Sequence, residues 1–273
     1  MNARRIPLSL IVGALLVGVL ALIALVSLAW LPYPIEDTSG GRLEGFSADH
    51  LLGTDRLGHD LVSRMMVGAR IALVVGLGAV AVATLIGVSV GLVIALARPW
   101  VDDVASALLD VLIAFPTLLL AMLIVAGFGA SLATVTVAIG VAASAVVARL
   151  TRILARRVLA EQYVLAARTS GVSTWGILTR HVLPNIWPTL ATNLAVTMGG
   201  AVLAEAGLSY LGLGAPPPNA SWGRLLQDAQ ATFTTQPLGA IAPGVAIVAF
   251  VLGANLAADG LRSLIDPTQG GAK

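Results

Sequence analysis

A chain of 273 residues that is 58% hydrophobic and only 11% charged has too little polar surface to cover a water-soluble globule of its size. Its net charge of +2 is not that of a polyelectrolyte and points to no nucleic-acid partner, and the absence of cysteine excludes disulfides and thiolate chemistry. A phosphate-binding P-loop needs a Gly-rich turn followed by Lys-Ser/Thr, and the single lysine, Lys273, stands in no such motif, so any ATP hydrolysis is expected in another chain.

A helix that crosses the hydrocarbon core needs about 20 mostly apolar residues. Six stretches qualify, at 8–30, 71–97, 104–128, 131–148, 186–208 and 238–258. The expected fold is all-α: one polytopic membrane domain over 1–273 with about six transmembrane helices. The first stretch follows Arg4 and Arg5 like a signal peptide. Its apolar run exceeds the roughly 7–15 residues of a signal core, so an uncleaved span is expected. A Gly-rich turn at 127–129 makes the third and fourth stretches a helical hairpin.

Six spans place both termini on one side. Arg4, Arg5, Arg98, the arginines of 149–180, Arg262 and Lys273 then share a face, which is 11 of the 16 basic residues. Cytoplasmic loops collect arginine and lysine, so that face reads as cytoplasmic. The tail 1–7 and the loop 149–184 lie there, while 31–70 and 209–237 are external. Segment 32–70 carries six acids against four arginines, a balance that suits an outer location.

Several spans are interrupted. Asp110 and Pro116 fall in the third, and Asp259 falls at the end of the sixth. The fifth opens on Pro184 and Pro188 and contains Asn193, Met198, Gly199-Gly200 and Glu205. Ionisable groups at membrane depth face a bundle interior or water, which makes Asp110 and Glu205 candidates for a substrate pathway, and Asn193 and Met198 of the fifth span are named with them. A position at the interface explains Asp110, Glu205 and Asp259 equally. His59 and Asp60 lack further ligands at metal-site spacing, and a structural role is expected for them.

Residues 149–184 read RLTRILARRVLAEQYVLAARTSGVSTWGILTRHVLP. Arg149, Arg152, Arg156 and Arg157 share a helical sector. Gly171 suits a left-handed helix end, and Ser173 suits the cap of a second short helix closed by Pro184. The expected unit is a cytoplasmic helix–Gly turn–helix. Its alanines permit close approach by a protein, and its arginines equally suit anionic lipid headgroups.

At this point the sequence resembles a known family, the inner-membrane subunits of bacterial ATP-binding-cassette importers. Their cytoplasmic loop follows the pattern Glu-Ala-Ala-x3-Gly-x9-Ile-x-Leu-Pro. Here Leu165-Ala166-Ala167 is followed at that spacing by Gly171, then by His181, Val182, Leu183 and Pro184. Leu165 and His181 depart from the pattern. HLLGTDRLGHDLVSRMMVGARIAL from His50, FPTLLLAMLIV from Phe115, LAEAGLSYLGLGAPPPNASWGRLL from Leu203 and ANLAADGLRSLIDP from Ala254 look like blocks of dipeptide/oligopeptide permeases of the C type. The resemblance covers most of 50–267.

The resemblance implies a non-catalytic subunit that forms half of a translocation pathway for di- or oligopeptides. It implies a second, homologous permease of the B type, ABC ATPase subunits that bind ATP and Mg, and an extracytoplasmic solute-binding protein. By the same resemblance the ATPase-docking residues are Ala166, Ala167 and Gly171, flanked by Tyr163, Arg168 and Ser170, with Leu183 and Pro184 anchoring the next span. The Gly- and Pro-rich stretch 207–222, with Pro216-Pro217-Pro218, would lie near the mouth that receives substrate.

Other readings are weaker. A nickel or other solute importer would share these blocks. A secondary transporter would need broken helices at matched positions of two repeats, and no convincing repeat is present. An intramembrane serine protease built on Ser209 would need a base beside it, and His181 falls on the opposite face. A lipid-bound scaffold would not require the loop spacing.

Overall fold

The computed structural model describes residues 6–217 and 219–265. Arg4, Arg5, Pro218, Lys273 and the last residues of the C-terminal likeness, Asp266 and Pro267, lie outside the described residues. Ten α-helices follow in order: α1 Leu8–Ala29, α2 Leu61–Leu96, α3 Pro99–Ala114, α4 Thr117–Phe128, α5 Leu132–Leu159, α6 Gln162–Thr169, α7 Thr174–Ile177, α8 Leu183–Tyr210, α9 Trp222–Ala229 and α10 Leu238–Ile265. Among the described residues the β-structure is one isolated bridge, Thr54 with Asp60. Among the described residues, five helical stretches are long and apolar enough to cross a membrane, or six if the bent pair α3–α4 is counted as one span.

That bent pair occupies the expected third span over 104–128, and its break falls at the interrupting Pro116. The two helices meet at 86° across Phe115 and Pro116. Phe115 is extended, with φ −73° and ψ 129°. Proline forces this, because its ring clashes with a helical residue before it and its nitrogen has no proton for the helix ladder. The hairpin turn between α4 and α5 is present, and Gly129 takes φ +86° there.

The central pair is α2 and α5. On α2, Ala79, Ala83, Gly87, Gly91 and Ala95 recur every four residues and are all buried. Small side chains let two membrane helices approach closely when lipid offers no hydrophobic drive to associate. A Cβ at Gly87 would lie 2.6 Å from Val147 Cβ and 2.8 Å from Ser144 O. Gly87→Leu is therefore expected to wedge α2 from α5 and cost about 1–3 kcal/mol, as overpacking does. Thermal unfolding in detergent checks it, and an unchanged midpoint would refute the close-packed seam.

α1 packs along α10, where Gly13 meets Gly253 and Ala257. Only Gly13, Ala24 and Ser27 of α1 are buried, which leaves Leu15, Leu22, Leu25 and Leu28 exposed for lipid. α2 starts at Leu61, not at 71, so 61–70 is helical rather than part of an open external segment. At about 1.5 Å per residue its 36 residues reach well beyond the hydrocarbon core.

Asp60 explains that early start. Its carboxylate accepts the Ser63 N–H at 2.7 Å, capping α2, and its other oxygen lies 3.0 Å from His50 Nδ1. His59 Nδ1 sits 2.8 Å from Asp55 Oδ2. Arg64 joins Asp55 at 2.5 Å to Asp228 of α9 at 3.2 Å, so the segment before α2 and the segment after α8 are stitched together. Burial alone would raise the Asp55 carboxyl. Hydrogen bonds from His59 and Leu57 and the Arg64 charge instead hold it below the ordinary carboxylate value.

The segment after α8 folds back onto the end of that helix. Trp222 is buried against Val202, Ala206, Ile247 and Phe250, and its Nε1–H donates to Met65 O at 3.1 Å. One indole thereby joins α2, α8, α9 and α10.

Candidate functional site

α5 runs on past 148 to Leu159, where Arg156 and Arg157 occupy its last turn and favour its negative end. The chain turns at Ala160 and re-enters helix as α6, which ends on Ser170 and Gly171. Gly171 N–H donates to Arg168 O at 3.0 Å and Val172 N–H to Ala167 O at 3.1 Å. Gly171 has φ +83°. This is a Schellman closure, and it requires a residue that tolerates the left-handed region. Ser173 Oγ then accepts the Gly176 N–H at 3.2 Å and caps α7.

Pro184 does not close the second helix, as its position suggests. Helix runs without interruption from Thr174 to Tyr210. Proline cannot donate to the Arg180 carbonyl, and the helix widens into a π turn over Leu178–Val182, with Leu183 N–H donating to Leu178 O. Asn185 Nδ2 donates to His181 O at 2.6 Å and to Tyr163 Oη at 3.3 Å, and the Tyr163 and His181 rings lie 5.9 Å apart. The side chain at the departing position His181 thus braces α6 against the root of α8.

The element is anchored from beneath. Val164, Ile177, Leu178, Val182, Ile186 and Leu190 form one buried cluster with Ala155 of α5 and Ala95 of α2. Above it, Tyr163, Leu165, Ala166, Arg168, Ser170, Gly171 and Pro184 are exposed, whereas Ala167 and Leu183 are half-buried. Trp175 is 73% exposed. Eight residues named from the sequence therefore gather on one surface element, rigidly seated on α2, α5 and α8.

The four pathway candidates are not brought together. Asp110 is exposed on α3, 3.0 Å from Arg149 of α5. Asn193 lies on a stripe of α8 that exposes Thr189, Val196, Gly200 and Leu203, and its Oδ1 is buried without a hydrogen-bond partner. Met198 instead packs into the cluster around Trp222. Glu205 is buried and accepts the Ser209 hydroxyl at 2.5 Å. Single-residue chemistry marked these four, whereas the side a helix turns to its neighbours decides which are reachable.

One charged group was missed. Asp102, 2% exposed in the first turn of α3, receives Arg152 Nε at 2.5 Å and Nη2 at 2.6 Å, and lies 2.7 Å from Arg156 Nη1. The signal was the i, i+4 pair Arg152–Arg156, which directs two cations to one point.

Residues 83–270 match the family described as binding-protein-dependent transport system inner membrane component. The dipeptide transport system permease protein DppC of Alkalihalophilus pseudofirmus is 36% identical over 232 residues, 85% of this chain and 76% of that protein. The glutathione transport system permease protein GsiD of Pectobacterium atrosepticum is 39% identical over 224 residues, 82% and 74% of the two chains. GsiD of Escherichia coli is 36% identical over 257 residues, 93% and 85%. The membrane bundle, its seated surface element and these similarities together place the chain in the family of inner-membrane components of binding-protein-dependent transport systems.

Proposed function

We propose that this chain is the transmembrane subunit of an ATP-driven importer of short peptides, and that α6, Gly171 and α7 dock on its ATPase. One observation carries the reading: the exposed face of α6 sits on a buried cluster continuous with α2, α5 and α8. A ligand shifts a conformational equilibrium only through its different affinity for the two states. A push from an ATPase on a rigidly seated element reaches the spans, whereas a push on a loose loop would be absorbed.

The arginine-rich end is then cytoplasmic and holds both termini, and the stitched external segments face the solute-binding protein. The α8 stripe with Asn193 and the Asp110–Arg149 pair face water or the second permease rather than lipid, since charge is costly in hydrocarbon. Two of the relatives are a dipeptide and a glutathione transport system permease protein, and both solutes are short peptides. ATP and Mg belong to the partner ATPases. The importer is driven through them, which leaves no role for a proton-coupled cycle in this chain.

Ala166→Glu tests the docking. Ala166 is exposed, so the fold and membrane insertion are expected to persist. Co-purification of the ATPase and uptake of labelled dipeptide or glutathione into proteoliposomes are expected to fall about 30-fold or more, as at an interface hot spot. Wild-type assembly and uptake in this variant would refute docking at α6.

A further inference from the structure

The docking element and the pathway stripe leave one charged cluster unused, the clamp of Asp102 by Arg152 and Arg156. We propose that Asp102 is a positioning residue that carries movement of the docking element into α3, so that the bent helix α3–α4 changes its angle with each cycle. This rests on the docking reading above, because the movement begins at α6.

The placement is the first argument. Arg152 and Arg156 occupy the last two turns of α5, and α5 passes through Ala160 directly into α6. A displacement of α6 is therefore passed along the chain to the end of α5 that carries these arginines. They hold the Asp102 carboxylate through contacts of 2.5, 2.6 and 2.7 Å that use both of its oxygens.

The second argument is how little else holds α3. Of its 16 residues only Asp102 and Leu109 are buried. Leu109 lies among Ile94, Ala145 and Ala148, a small apolar cluster. The remaining ion pair, Asp110 with Arg149, has side chains 55% and 50% exposed. Apolar packing is non-directional and permits sliding, whereas a guanidinium fork on a carboxylate fixes register and angle.

The third argument is the hinge. At the other end of the pair, α4 packs Ala121 and Val125 against Val135, Ala138 and Ile139 of α5. The bent helix is thus gripped near both ends of one straight helix. Between the grips, Phe115 is extended and 57% exposed, and Pro116 removes a helix hydrogen bond. A shift at the clamped end changes the bend. Stability alone is a weak reason for the cluster, since a buried ion pair is on average no better than an apolar replacement of similar shape.

The test uses the assembled transporter in proteoliposomes and reads labelled dipeptide or glutathione taken up per ATP hydrolysed. Asp102→Asn keeps the shape and removes the charge. It is expected to insert, to retain its ATPase and to hydrolyse ATP, while uptake per ATP falls about tenfold, the scale on which residues along a coupling route act. Asp102→Glu is expected to recover most of that ratio. Arg156→Gln, at a side chain 42% exposed, leaves Arg152 on both oxygens and is expected to lower the ratio about threefold. A wild-type ratio in Asp102→Asn overturns the proposal. If Asp102→Asn fails to assemble, Arg156→Gln decides, and its wild-type ratio overturns the proposal equally. Failure of the wild-type chain to retain an ATPase would instead refute the docking reading, so the two failures are distinct.

Discussion

Gly171→Val is expected to insert normally and to lose most of its coupled uptake. The residue has φ +83°, and nothing lies within 4 Å of a Cβ built on it. The effect is therefore one of backbone strain, without a steric clash. A left-handed conformation costs an L-residue roughly 1–2 kcal/mol, and more when the side chain is β-branched. That strain falls on the turn that closes α6 through Val172 N–H to Ala167 O, at 3.1 Å. A cost of one or two kcal/mol lowers the population of the closed turn about 5- to 30-fold. Asparagine visits the left-handed region readily, so Gly171→Asn is expected to retain most uptake. Proteoliposome uptake of labelled dipeptide or glutathione separates the two variants. Equal, wild-type uptake in both would remove the turn from the docking mechanism.

Trp222→Ala is expected to have the largest effect on stability. The indole is 2% exposed and packs edge-on to Phe250, with ring centroids 6.5 Å apart. It fills the junction where α9 meets α2, α8 and α10. Gly68 and Gly223 admit it closely: a Cβ on Gly68 would lie 2.7 Å from its Nε1, and one on Gly223 would run into the Ala206 backbone. Truncating such a residue costs about 3–5 kcal/mol, through lost contacts and the cavity left behind. The unfolding midpoint in detergent should fall on the order of 10 °C. Trp222→Phe keeps an aromatic ring at the junction but removes the hydrogen bond to Met65 O and part of the buried volume, a smaller loss of about 1–3 kcal/mol. Equal midpoints for the two variants would show that packing at this junction is unimportant.

Much of the architecture was legible in the amino-acid order, because the properties that encode it are local. Hydropathy over about 20 residues marks a span whatever surrounds it. The left-handed turn at Gly171 and the cap at Ser173 follow from backbone preferences of single residues. The gathering of Tyr163, Ala166, Ala167, Arg168, Ser170, Gly171, Leu183 and Pro184 on one element follows from their closeness along the chain.

What was not legible depended on groups distant in sequence. Pro116 marked a perturbation, but its 86° bend reflects how α3 and α4 are gripped by opposite halves of α5. Asp60 extended α2 by ten residues because His50 and Ser63 share its carboxylate. Pro184 looked like a helix end, yet the buried contacts of Ile177, Leu178 and Val182 hold the chain helical through a π turn. Met198 and Glu205 looked like Asn193 in composition, and only helix rotation separated them.

By itself, then, the sequence determined the membrane class, the apolar stretches, the uneven arginines and the closed turn after α6. The tertiary structure alone decided which faces those helices present, and it alone brought Asp102 to Arg152 and Arg156. The physical reason is that burial and ion pairing depend on partners about 50 residues away along the chain, which no local pattern specifies.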